Sequence, residues 1–302
     1  MRATTLRELR DRGISPASVV DQVAAGAARA VATPTPTVRV PILDAISSLF
    51  DTPKMTAKVR ARVDDALDAI NVLHGVRSDV TWNAARTRKV GRREIRESVE
   101  PRGSIPIELR AASSRGEGGH FASFHDVDEI MPLRIVLRPS TSGPMMNYET
   151  VLAHELGHYI DYNLMPRIAK GTSSNAVIGH RIAVGSLDDF GRRLIDDDRL
   201  AEAMGDVFRA VYDTETWAAI LRIESRAYRD YFTDPKEVFA RVYAQWVSER
   251  AGTPAMRDEL RRAQAWPRGE GRAAGLDVFT PEEFERIGAA MDELFRTAGM
   301  LR

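Results

Sequence analysis

Val151-Leu152-Ala153-His154-Glu155-Leu156-Gly157-His158-Tyr159-Ile160-Asp161 contains the pattern H-E-x-x-H, and the reading of the chain follows from it. On an α-helix, residues four apart share a face, so His154 and His158 can grip one ion. Glu155 is rotated by about 100° from His154, which aims its carboxylate at a water held by that ion. Leu152, Leu156 and Ile160 fall on the opposite face and give the helix a core to pack against. Asp161, three residues beyond His158, returns to the histidine face. There it is expected to accept a ring N–H and so fix the tautomer that leaves the other nitrogen for metal. The stretch therefore reads as a zinc-binding helix with a catalytic base, rather than a solvated surface helix.

Composition bounds the rest. The chain has 302 residues, 43% hydrophobic and 28% charged, which suits a folded globular protein of one large or two ordinary domains. Its 43 basic and 43 acidic residues cancel, so neither nucleic acid nor an anionic membrane is expected as a partner. The absence of cysteine excludes a disulfide framework, a thiolate zinc site and a cysteine nucleophile. Met1-Arg2-Ala3-Thr4-Thr5-Leu6 begins no apolar signal region, and no apolar run reaches membrane-spanning length. The expected location is cytoplasmic by default, or wherever a partner delivers the chain.

The predicted architecture is α+β, mostly helical with a small mixed sheet ahead of the histidine helix. Residues 1–32 read as a helical N-terminal arm, with Ser15-Pro16 as a helix start followed by Val19, Val20, Val23 and Ala27. Thr33-Pro34-Thr35-Pro36-Thr37 marks a linker over 33–40. The main domain is expected over 41–302. Within it, 41–75 is predicted helical on the stripe Val59, Val63, Leu67, Ile70. Residues 76–140 read as strand-rich, with strands at 76–82, 105–110 and 133–138. Residues 146–250 carry the site helices and 251–302 the C-terminal ones. His120 and His125, beside Asp126 and Asp128, read as loop residues rather than a second metal site. The strand at 133–138 leads into the histidine helix, where it either pairs with an extended peptide or is simply packed.

A catalytic zinc needs three protein ligands and one open position. The extended pattern H-E-x-x-H-x-x-G-x-x-H is absent, because Asp161 stands at its glycine and Leu164 at its last histidine. His180, Glu202, Asp206 and Glu237 are the downstream candidates. Glu237, 79 residues beyond His158 (237 − 158), is favoured, with Glu202 its main competitor. Phe239, Val242, Tyr243, Trp246 and Val247 would bind its helix into the core. Ala240 and Ala244, on the face of Glu237 and Arg241, would let a second helix approach. An alternative stays open: Asp234-Pro235-Lys236-Glu237 has the form of a capping box, and Arg241 could pair with Glu237 at i+4.

His154-Glu155-Leu156-Gly157-His158-Tyr159-Ile160-Asp161, taken with Glu237-Val238-Phe239-Ala240, resembles the gluzincin metallopeptidases, most closely the anthrax lethal factor type. The resemblance covers about 135–250. It implies a zincin-like fold with one Zn2+ on His154, His158 and Glu237, Glu155 as base, and a peptide or protein as substrate. It further implies a tyrosine shortly before the glutamate ligand, for which Tyr228 and Tyr231 are the candidates. The longer gap before Glu237 departs from the pattern and implies inserted helical material. Domains of this kind also occur as modules of phage head-associated proteins and toxins. The competing expectation is therefore an assembly protein, held by its N-terminal helices, virion-associated or delivered, with little or no proteolysis.

Overall fold

The structure is a computed structural model that describes residues 43–44, 46–52, 55–77, 84–90, 93–99, 105–110, 119–125, 130–138, 147–161, 198–267 and 275–302. The expected arm, linker and His180 lie outside these residues, as do Asp126 and Asp128. The described chain is α+β, mostly helical with a small mixed sheet. Its strands are β1 (Leu43–Asp44), β2 (Phe50–Asp51), β3 (Val76–Arg77), β4 (Ala84–Val90), β5 (Arg93–Val99), β6 (Ile105–Leu109), β7 (Gly119–His125) and β8 (Ile130–Leu137). Its helices are α1 (Ala57–Leu73), α2 (Tyr148–Tyr159), α3 (Asp198–Tyr212), α4 (Glu215–Leu221), α5 (Arg226–Thr233), α6 (Pro235–Arg250), α7 (Pro254–Gln264) and α8 (Pro281–Thr297). No helix of the described residues is long and apolar enough to cross a membrane.

Two expectations change here. The helical segment predicted from 41 begins only at Ala57, capped by Thr56; before it lie β1, a 3-10 turn at Ile46–Leu49, and β2. Pro41 and Pro53 punctuate that stretch and prevent a continuous helical ladder. His120 and His125 are not loop residues but lie in strand β7.

The four-stranded sheet has the order β2-β6-β8-β7, parallel except for the last pair. β8 is paired on both sides, through Ile135–Leu137 to β6 and through its whole length to β7. It is therefore an ordinary packed strand, and β2 and β7 are the outer strands among the described residues. Ile105, Ile107, Ile135 and Leu137 face the core from this sheet, and α2 packs on β7 and β8.

Helix α6 is the central post. Every residue from Val238 to Ser248 is buried, including Phe239, Tyr243 and Trp246 at 0% exposure. Each large side chain buried this fully contributes roughly 1.5–3 kcal/mol against leaving it in water. Polar anchors fix the ends: Trp246 Nε1 donates to Asp292 at 2.8 Å, and Gln245 brackets the Phe279 backbone at 2.8 and 3.1 Å.

The start of α2 is pinned as firmly. Asn147 caps it, its side chain accepting from the Thr150 N–H at 2.9 Å. Glu259 of α7 accepts from the Asn147 N–H at 2.8 Å and from the Thr150 hydroxyl. Arg62 of α1 grips the buried Glu149 bidentately at 2.7 and 2.5 Å. Two carboxylates at a helix N-terminus also complement its dipole.

Candidate metal centre

Helices α2 and α6 cross where Gly157 meets Ala240. A Cβ built on Gly157 would lie 2.8 Å from Ala240 Cα and 3.3 Å from Tyr243 Cβ, so glycine is what permits this approach. The small residue that matters opposite α2 is Ala240, as the spacing predicts, but half of the fit comes from Gly157 itself.

At this crossing His154 Nε2 stands 3.4 Å from Glu237 Oε2, and His158 Nε2 stands 3.5 Å from Glu237 Oε1. One ligand atom from each of the three lies within 4.8 Å of the others, and among the described residues no other such group forms. Zinc–nitrogen and zinc–oxygen bonds near 2.05 Å set a tetrahedral edge of about 3.4 Å, and the two N···O separations, made to different oxygens of Glu237, are near that value. The residues present therefore fit one zinc ion. Burial alone would raise the Glu237 carboxyl, but hydrogen bonds from the two histidines outweigh it and hold Glu237 well below the usual carboxylate range.

The capping-box alternative for Glu237 is not formed. Asp234 caps α6 through the Lys236 N–H at 3.2 Å, while its own N–H already bonds the Tyr231 carbonyl at 3.2 Å. No backbone donor remains there for Glu237. Nor does Arg241 take the carboxylate: its Nε donates to the Glu237 carbonyl at 3.2 Å instead. Glu202 and Asp206 sit on the exposed face of α3, with Asp206 paired to Arg209. Neither belongs to the cluster. Local sequence leaves the choice between these carboxylates open; the α2–α6 crossing makes it.

Glu155 is buried, 4% exposed, and its Oε1 lies 3.0 Å from the point where a Cβ of Gly119 would stand. The edge strand thus passes directly over the expected base, and a side chain at 119 would also meet Val136 O and Val151 Cγ1, both at 2.7 Å. Strand β7 is the component that sequence reasoning missed. Its only signal was a glycine followed by Phe121 and Phe124, whose spacing of three breaks the alternation of a strand and does not separate it from a loop.

The two tyrosines part company. Tyr231 stands near the Glu237 carboxylate; burial first, and then the Glu237 charge, push its hydroxyl well above the ordinary phenol range. The residue as a whole is 46% exposed. Tyr228 is 60% exposed and makes no described contact with the cluster. Asp161 is buried, but it is not the acceptor for His158, whose Nδ1 has no hydrogen-bond partner among the described residues. The helix widens to a π turn at 160–161.

Two residues join in roles that the sequence did not point to. Arg241 is buried beside Tyr231, and Asp277, in the segment before α8, acts electrostatically on both Arg241 and His154. Only the tertiary fold brings Asp277 here, so no local pattern could have marked it. Comparison with family models, with curated proteins and with solved structures finds no match to this chain.

Proposed function

We propose that this chain is a zinc-dependent endopeptidase of the gluzincin kind, hydrolysing peptide bonds in a peptide or protein substrate. One observation carries the reading: His154 and His158 converge on Glu237 across two core helices, with buried Glu155 one residue along and under an edge strand. Histidine, histidine and carboxylate are the donor set of a catalytic rather than a closed structural zinc site. Zinc bound there would lower the pKa of its water toward neutrality and polarise the scissile carbonyl. Glu155 takes the proton from the attacking water and passes it to the leaving nitrogen. Its burial withholds bulk water from that exchange. Tyr231 donates to the oxygen that gains charge.

β7 supplies the place for an extended substrate. It pairs on one side only among the described strands, which puts it at the end of the sheet, where an extended peptide would add. Gly119 brings that line of backbone against Glu155.

The test measures bound zinc and cleavage of a peptide library, with chelator controls, for the wild type, His154→Ala and Glu155→Gln. His154→Ala is expected to lose the metal. Glu155→Gln is expected to keep it and lose turnover, so full activity in that variant refutes the mechanism. Zinc with no cleavage of any peptide favours the assembly role instead.

A further inference from the structure

Arg241 is a charged residue in an expensive place. It is 9% exposed, in a helix buried from Val238 to Ser248, and its Nη1 has no hydrogen-bond partner among the described residues. An unsatisfied buried donor costs roughly 1–3 kcal/mol, so an apolar side chain of similar volume would serve the core better. What the guanidinium does is local. Its Nε donates to the Glu237 carbonyl at 3.2 Å, and its Nη2 donates to the Phe232 carbonyl. Its carbon lies 4.4 Å from the Phe232 ring centroid and 6.0 Å from that of Tyr231. One side chain thus ties the last turn of α5 to the first turn of α6.

Between those turns lies a single joint, Asp234-Pro235. Tyr231 is on one side of it and Glu237 on the other, so the angle of the joint decides whether the tyrosine hydroxyl reaches the carboxylate. Phe232, next to Tyr231, is the residue whose carbonyl Arg241 holds. We propose that Arg241 is a positioning residue that locks the α5–α6 joint and thereby sets the Tyr231 hydroxyl near Glu237. Asp277, Glu237 and Asp234 all lie near enough to oppose the buried charge. The consequence for turnover rests on the peptidase reading; the placement of Tyr231 does not.

The experiment uses the full chain labelled with 13C-tyrosine, with Y231F and Y228F identifying two of the seven tyrosine signals. In R241M the Tyr231 ring signal is expected to move toward that of exposed Tyr228, while those of buried Tyr159 and Tyr243 stay. R241K, which keeps the charge but not the two-carbonyl fork, is expected to move it part of the way. A Tyr231 signal unmoved in R241M overturns the proposal, and where R241M also disturbs the buried tyrosines, R241K decides by the same criterion. On a peptide that the wild type cleaves, R241M is expected to lower kcat about tenfold with KM within about twofold. The double variant R241M/Y231F is then no slower than Y231F, and additive losses overturn the coupling. A wild type that cleaves no peptide removes the peptidase reading and leaves the tyrosine signals to decide the placement.

Discussion

Gly157→Ala adds one methyl group at the point where the two metal-site helices touch. Its Cβ would stand 2.8 Å from Ala240 Cα and 3.3 Å from Ala240 O, both backbone atoms that no side-chain rotation can move. Carbon atoms pack at about 3.6 Å, so the helices must separate by about 0.8 Å. Overpacking of this kind costs about 1–3 kcal/mol, while alanine in place of glycine inside a helix returns about 0.5–1 kcal/mol. Stability therefore falls only modestly. The metal site is less forgiving, because ligand distances tolerate about 0.2 Å and Glu237 rides on the displaced helix. Zinc affinity is expected to drop by about ten- to a hundredfold, the range for disturbing the support of a ligand. Chelator competition measures the affinity, and thermal unfolding of the zinc-free protein measures the stability. Gly288→Ala is the control: its nearest neighbour, at 3.3 Å, is the flexible end of Arg250, bonded to Asp292 and remote from the metal ligands in sequence, so it should bind zinc like the wild type. Wild-type zinc affinity in Gly157→Ala would show that the helix approach does not set the ligand geometry.

Two other positions give independent tests. His74 is fully buried, bonded to Tyr243 Oη at 2.6 Å and stacked on Phe295 at 4.8 Å; burial, aided by Arg302, lowers its pKa from 6.5 to about 3. As pH falls below 6.5 the unfolded chain takes a proton here that the folded chain refuses. Stability then declines by about 1.4 kcal/mol per pH unit, about 5 kcal/mol in all by pH 3. Urea midpoints between pH 6 and pH 4 should fall less steeply in His74→Asn, and equal slopes would rule this histidine out. Gly119→Ala drives a methyl group into Val136 O, Val151 Cγ1 and Glu155 Oε1. It is expected to retain zinc, cost about 1–3 kcal/mol of stability and cut turnover by about a hundredfold. Undiminished turnover would separate Gly119 from the placement of the base.

Much of this molecule is legible one segment at a time. Helical phasing puts His154 and His158 on one side of α2 without any knowledge of the fold. The stripe of Phe239, Val242, Tyr243, Trp246 and Val247 marks α6 as a core helix, and these residues are buried. Thr280 and Glu283 announce α8, and there the capping box does form. All of these are short-range rules, in which a residue meets neighbours three or four positions away.

What the sequence left open is what depends on distant partners. Glu237 carries the same local signs as Glu283, yet the Asp234 N–H it would cap is already bonded to Tyr231, and its carboxylate turns to the histidines. Tyr228 and Tyr231 lie on one short helix, and only its angle to α6 separates them. The edge position of β7 follows from β8 being paired on both sides, which no strand reveals about itself. The H-E-x-x-H pair is thus a property of the sequence, written in helical periodicity. Its third partner, its edge strand and its supporting arginine belong to the tertiary structure, because each depends on how separate elements pack.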